Sequence, residues 1–305
     1  MLRQLLIFLV YTALIFGNEF SCAENIYLTR SDFLSQQEEK LSDNFFNKLN
    51  SNLQNVTRMS IMDASTLKGK NNIIIALGEK ALDGVLHGTG NSPVIGVFIS
   101  KESYNETIKR VTNNERTTAI YSDPSPKRQI ALNKVIFGSQ YPMGIIYSNE
   151  SKHDYYDITQ FANSIGVQVQ PISINKYAHP SEISREFKKI KTLLLQKDKH
   201  LFDNISLDTL IFLAYDLNSV GIIGYSSDVV KSGALATTYT PLSDMSKSVE
   251  DMIIRMTKSN HVPPPEYPKY YKVIVNKYVS RSLNSITDDN IAIHKEIESL
   301  MREEK

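Results

Sequence analysis

The chain has 305 residues, 41% hydrophobic and 22% charged, which fits two ordinary globular lobes and excludes a disordered or fibrous chain. Its 34 basic and 33 acidic side chains leave a formal charge of +1, so there is no cationic surplus to neutralise a nucleic-acid backbone. Six His residues show no metal-ligand spacing, and a single Cys excludes thiolate metal clusters and an intrachain disulfide.

The amino terminus reads as a signal peptide spanning 1–23. Arg3 supplies a short positive region, Leu5 to Phe16 is an almost unbroken apolar run, and Ser21-Cys22-Ala23 follows. Small residues at the third-last and last positions before a cut after Ala23 suit signal peptidase I. The apolar run is short for a bilayer span. Glu19 stands where a lipoprotein signal wants Leu, so Cys22 is a poor lipidation site. The expectation is a cleaved, periplasmic protein whose mature part has no Cys and is stabilised by its core alone. Four Asn-x-Ser/Thr tripeptides, beginning at Asn55, Asn105, Asn149 and Asn204, carry no weight in a bacterial reading.

From there short apolar runs alternate with amphipathic stretches. Ile26 to Leu28 is a strand candidate, and Phe33 to Leu53 has helical spacing of apolar residues. The β-prone run Asn72 to Leu77 ends at Gly78, and Glu79 to Leu86 reads as helix. Pro93 to Ile99 and Thr118 to Tyr121 are the next strands. The pattern then restarts with a helix from Pro126 to Phe137, Pro126 suiting a first turn. Met143 to Tyr147 is a buried strand, Tyr155 to Ile165 a helix ended by Gly166, and Val167 to Ile172 a strand. Ser181 to Gln196 and Ser206 to Leu217 are predicted helices, Val220 to Gly224 and Ala234 to Tyr239 strands. Ser243 to Lys258 is a long helix, Pro263-Pro264-Pro265 breaks the chain, Tyr271 to Val275 is a strand, and Asn290 to Arg302 a helix.

Such alternation predicts an α/β fold of two doubly wound, Rossmann-like lobes with parallel sheets covered on both faces. Lobe I is expected over 24–122, completed by part of 243–275. Lobe II is expected over 123–242, completed by part of 276–305. Asp123-Pro124-Ser125-Pro126 is the hinge candidate. In this architecture ligands sit outside the carboxyl ends of the strands, so the residues just after each strand are the ones to weigh.

Four stretches, in this order and spacing, carry a family resemblance. They are Ile73-Ile-Ile-Ala-Leu-Gly-Glu-Lys-Ala-Leu82; Ala119-Ile-Tyr-Ser-Asp-Pro-Ser-Pro-Lys-Arg-Gln-Ile-Ala-Leu132 with Met143-Gly-Ile-Ile-Tyr147; Gly224-Tyr-Ser-Ser-Asp-Val-Val-Lys-Ser-Gly-Ala-Leu-Ala236; and Pro263 to Tyr271 continuing through Val275-Asn276 to Leu283. The chain resembles the ABC-transporter substrate-binding protein family that includes tryptophan-type binding proteins. The resemblance implies a type I periplasmic-binding-protein fold with a hinged ligand cleft, and an ABC permease as partner. It names no ligand. Tyr27-Leu-Thr-Arg-Ser31 departs from the amino-acid-binding members, which argues against an aromatic amino acid.

Each candidate ligand residue has a plainer alternative. Gly78 and Glu79 open a helix after a strand, where free amides receive anions, or Gly78 merely makes the turn. Thr29, Arg30 and Ser31 follow the first strand, and Arg30 suits a carboxylate or simply faces solvent. Ser100 follows another strand, as do Tyr121 and Asp123; Asp123 accepts from a ligand amine or starts a turn before Pro124. Tyr147, Ser148 and Asn149 form a hydroxyl–amide set at the end of the second lobe's first strand. Asp198, Tyr225 and Tyr239 follow later strands, although with 16 Tyr in the chain packing accounts for most of them.

Catalytic signals are poor. Gly224-Tyr-Ser-Ser-Asp lacks the second Gly of a nucleophile elbow, and His87-Gly-Thr-Gly90 lacks the Lys of a phosphate loop. The expected function is therefore capture of a small molecule for import, with no catalytic residues, metal or cofactor, by a monomer that binds no nucleic acid. A sensory binding protein is the first alternative and an exported α/β hydrolase the second.

Overall fold

The computed structural model describes residues 25–32, 34–112, 114–147, 152–173, 179–197, 202, 205–259 and 261–303. The predicted signal peptide, Ser148, Asn149 and Asp198 lie outside the described residues. The chain forms two compact units. One runs up to Tyr121 and takes in Ser246–Glu266; the other is Ser122–Met245 with Tyr267–Lys305.

The first unit is built on a five-stranded, wholly parallel sheet. Its strands are β1 (Asn25–Arg30), β2 (Val56–Arg58), β3 (Asn72–Leu77), β4 (Val94–Ile99) and β5 (Thr117–Tyr121), in the order β2-β1-β3-β4-β5. Ile73 to Leu77 are buried without alternation, as a central strand covered on both faces requires. The connecting helices are α1 (Gln36–Leu53), α2 (Ile61–Thr66), α3 (Glu79–Leu86) and α4 (Lys101–Lys109). A capping box opens α1. Ser35 Oγ accepts from the Glu38 N–H at 3.3 Å, and the Ser35 N–H donates to Glu38 Oε2 at 2.8 Å. Phe45 and Leu49, one turn apart, bury its inner stripe.

The second unit carries six strands: β6 (Met143–Tyr147), β7 (Val169–Ser173), β8 (Thr192–Leu194), β9 (Gly221–Ile223), β10 (Ala236–Tyr239) and β11 (Lys272–Val275). Their order is β11-β10-β9-β8-β6-β7, parallel except for β11 at the edge, which pairs antiparallel with β10. Neighbouring strand residues point to opposite faces. Ile145, Leu194 and Ile223 enter one core cluster with α5 (Pro126–Phe137), α6 (Lys152–Ser164) and α12 (Asn290–Glu303). Ile146, Leu193 and Ile222 enter the other with α7 (Pro180–Phe187), α8 (Leu207–Ile211) and α9 (Ser227–Lys231). Gly144 permits close packing in β6, because a Cβ there would lie 2.5 Å from Ile190 Cδ1 and 2.9 Å from Ile172 Cδ1. The remaining helices are α10 (Leu242–Ser259) and α11 (Lys277–Ser282).

The two-lobed α/β class expected from the sequence is therefore present. One predicted helix is corrected: Ser181 to Gln196 is α7 followed by β8. Leu193, Leu194 and Leu195 are all buried, on both faces of the sheet, and that consecutive burial belongs to an inner parallel strand rather than to one stripe of a helix. Beyond Ile211 the predicted helix from Ser206 continues as a π-helical turn, Phe212–Asp216. The short elements β2, α2, α4, α9 and α11 gave no distinct period in the sequence. No helix of the described residues is long and apolar enough to cross a membrane.

Candidate functional site

Parallel strands all deliver their carboxyl ends to one edge of a sheet. In the first unit, adjacent strands β1, β3, β4 and β5 bring Thr29-Arg30-Ser31, Gly78-Glu79, Ser100 and Tyr121 to that edge. Three helices leaving it are capped by their own serines. Ser35 and Ser60 cap α1 and α2, and Ser100 Oγ accepts from the Ser103 N–H of α4 at 3.0 Å. That bond occupies the Ser100 hydroxyl in holding its own helix.

The amino end of α3 differs. Its cap residue is Gly78, at φ +82° and ψ 170°, which has no side chain to cap the first amides of the helix. A Cβ at Gly78 would meet nothing within 4 Å, so glycine is required there by the backbone and not by space. On neighbouring β1, Thr29 stands opposite Ala76, two residues before Gly78. Thr29 is 1% exposed, and its Oγ1 is buried with no hydrogen-bond partner. An orphan hydroxyl and an uncapped helix end are thus carried by adjacent strands.

Charge surrounds this point. Arg30 Nη2 lies 3.1 Å from Glu39 Oε1, a surface pair of the kind that contributes little to stability. Glu79 faces Arg110 at 3.5 Å, and the same guanidinium reaches Asp83 at 3.1 Å. Hydrogen bonds from Ser35, the backbone N–H first, hold the Glu38 carboxyl below its ordinary range, and Lys80 adds to this. Ser31 is buried.

The same edge holds a feature the sequence did not signal. Phe98 has φ +57° inside β4, where the register with β5 shifts between Val97 and Ile99. A non-glycine residue in the left-handed region marks local strain, and this bulge immediately precedes Ile99 and Ser100. The Phe98 ring packs edge-on against Phe45, centroids 4.9 Å apart. Tyr121 packs too. It is 5% exposed, its ring stands edge-on to Tyr104, and its N–H donates to Glu266 O at 3.0 Å.

In the second unit, Asp123 is half-buried in the segment before α5. Tyr147 ends β6 opposite Ser173 of β7, and Ser148, Asn149 and Asp198 lie outside the described residues. Tyr225 follows β9 and stands edge-on to Phe202 at 5.6 Å, and burial raises its hydroxyl pKa. Tyr239 ends β10, half-buried, opposite Lys272.

Sequence reasoning missed the polar group that braces this edge. Gln129 of α5 is 2% exposed. Its amide donates to Gly224 O, just past β9, and to Thr237 Oγ1 at 2.9 Å. Its carbonyl oxygen accepts from the Thr238 N–H at 2.9 Å. One turn on, Asn133 Oδ1 accepts from Thr192 Oγ1 of β8 at 2.6 Å. The available signal was two amides four residues apart on a helix otherwise buried nearly all round. Among the described residues no group of three His, Cys, Asp or Glu is placed to hold a metal ion.

No family model matches the chain, and no curated protein matches it. Solved structures do. A ligand-free, open substrate-binding protein with adhesive properties from Clostridium difficile aligns at TM-score 0.62 and 15% identity, over 87% of this chain and 96% of that one. A conserved domain protein from Vibrio cholerae aligns at 0.55 and 10% identity, over 90% and 98%. The ABC domain of a Streptococcus pneumoniae protein in complex with L-Trp aligns at 0.53 and 16%, over 89% and 97%. At these identities the likeness establishes architecture: the chain has a type I periplasmic-binding-protein-like fold.

Proposed function

We propose that this chain is an exported solute-binding protein. It takes a small molecule at the carboxyl ends of its strands and delivers it to an ABC permease, with no chemistry of its own. The observation that carries this reading is the uncapped end of α3 at Gly78 together with the partnerless Thr29 hydroxyl on the adjacent strand. A buried hydroxyl without a partner costs about 1–3 kcal/mol, and a polar ligand group that engages it recovers that cost on binding. The uncapped amides suit a carboxylate or another anionic or strongly accepting group. The type I fold, and solved neighbours that include substrate-binding proteins, support the binding role. The two units act as lobes that close by hinge motion, with Asp123-Pro124-Ser125-Pro126 as the hinge. Residues 1–23 are the signal peptide, removed after Ala23 on passage to the periplasm, where the protein works as a monomer.

The test is a thermal-shift screen of the purified protein against amino acids, peptides, nucleosides, sugars and vitamins, read with a dye because the chain has no Trp. A ligand at about 100 times its Kd adds about 2.7 kcal/mol and raises the melting temperature by a few degrees. A hit that Thr29→Val weakens by about tenfold supports the site. A hit untouched by Thr29→Val moves the site elsewhere, and no hit in any class overturns solute capture.

A further inference from the structure

The amino edge of the first unit's sheet carries a cavity of about 460 Å³, within the range of small-molecule pockets. Lys70 and Asn71 lead into β3, Pro93 into β4, and Glu115 and Arg116 into β5; Met256, Thr257, His261 and Val262 close it from the end of α10 and beyond. Strands of this length separate the cavity from the carboxyl-edge residues by about 20 Å.

Its two linings are chemically distinct. Ile73 at 1% exposure and Met256 at 5%, with Pro93 and Val262, form an apolar wall. Lys70, Arg116 and His261 supply positive or protonatable groups against one carboxylate, Glu115. The guanidinium is held in position by one bond, Arg116 Nη1 donating to Asn91 O at 3.0 Å. Asn91 is itself fixed, since its Oδ1 accepts from the Gly69 N–H at 3.1 Å and its own N–H donates to Leu67 O at 3.1 Å. Among the described residues no carboxylate pairs with Arg116 or Lys70, although most other arginines of this unit have one. A positioned guanidinium keeps its remaining N–H donors for a planar or tetrahedral oxyanion.

We infer that this cavity is a second ligand site, for a small organic anion: one carboxylate or phosphate between Arg116 and Lys70, and an apolar body against Ile73, Pro93, Met256 and Val262. The inference does not depend on the carboxyl-edge reading.

Titration of the isotope-labelled protein with phenyl phosphate, followed by amide NMR, tests it. Saturable shifts are expected at Asn71, Glu115, Thr257 and Val262, with a Kd below about 1 mM. Inorganic phosphate and benzyl alcohol, each carrying half of the recognition, bind at least about tenfold more weakly. Lys70→Gln breaks no hydrogen bond of the fold, and with Arg116→Gln it weakens phenyl phosphate by about tenfold or more. The proposal fails if these amides do not saturate by about 20 mM. It also fails if the double variant binds unchanged, or if either half-ligand binds as tightly as phenyl phosphate.

Discussion

Gln129 and Thr238 are joined twice: the Gln129 carbonyl oxygen accepts from both the backbone N–H and the hydroxyl of Thr238, each at 2.9 Å. The pair ties the first turns of α5 to the edge strand pair β10–β11 from inside the core. Because Gln129 also serves Gly224 and Thr237, a single side chain aligns the ends of two neighbouring strands.

Gln129→Leu keeps most of the volume and removes both functions. The Thr238 N–H and hydroxyl then lose their acceptor in a dry environment, so unfolding stability falls by about 2–4 kcal/mol. Urea denaturation gives the value. A loss below about 0.5 kcal/mol, within the range of surface substitutions, shows that water or a shifted side chain replaces the amide.

Thr29→Val and Thr118→Val separate binding from stability. Both hydroxyls are buried without partners, and valine reproduces their shape. Each variant is expected to gain up to about 1–2 kcal/mol in the ligand-free protein. Only Thr29→Val weakens ligand binding, because Thr118 lies toward the amino end of β5. Equal effects of the two on binding, measured by calorimetry with the ligand found in the screen, contradict the assignment of Thr29.

Gly78→Ala tests the helix entry. At φ +82° and ψ 170° only glycine is comfortable, and the new methyl meets no atom, so the cost is conformational alone. A loss of about 1–3 kcal/mol in chemical denaturation is expected. A neutral result means that the α3 entry adopts a second conformation.

The capping box of α1 makes a prediction about pH. The Glu38 carboxyl titrates below its ordinary folded-out value because the Ser35 N–H bonds the charged form. Its folded pKa is depressed, so its contribution is present above the unfolded pKa and disappears as pH falls through the folded one. An NMR titration of the Glu38 side-chain carboxyl carbon reads this directly. A midpoint at or above that of a Glu in an unstructured peptide would falsify the role given to Ser35.

Legibility differed by element for physical reasons. The run Asn72 to Leu77 and its terminating Gly78 were plain, because a strand buried on both faces must be apolar throughout. β8 was not, because three buried residues after a helix continue the helical spacing by chance. The edge residues Thr29, Arg30, Ser31, Gly78, Glu79 and Ser100 followed from the rule that strands end where ligands sit. That rule could not show that Ser100 is occupied with its own helix or that the Tyr121 ring is packed against Tyr104.

By itself the sequence determined the layers: apolar runs of strand length alternating with amphipathic stretches admit only sheets covered by helices. It also placed the strand ends, since glycine, serine and proline stop strands and start helices locally. Tertiary structure alone decided which polar groups are used up and which are left over. Gln129, Asn133, Thr29 and Thr118 are all polar residues within apolar stretches. Partners far along the chain satisfy the first two and none satisfies the others, and hydrogen bonding between remote segments is set by packing geometry that no local pattern encodes.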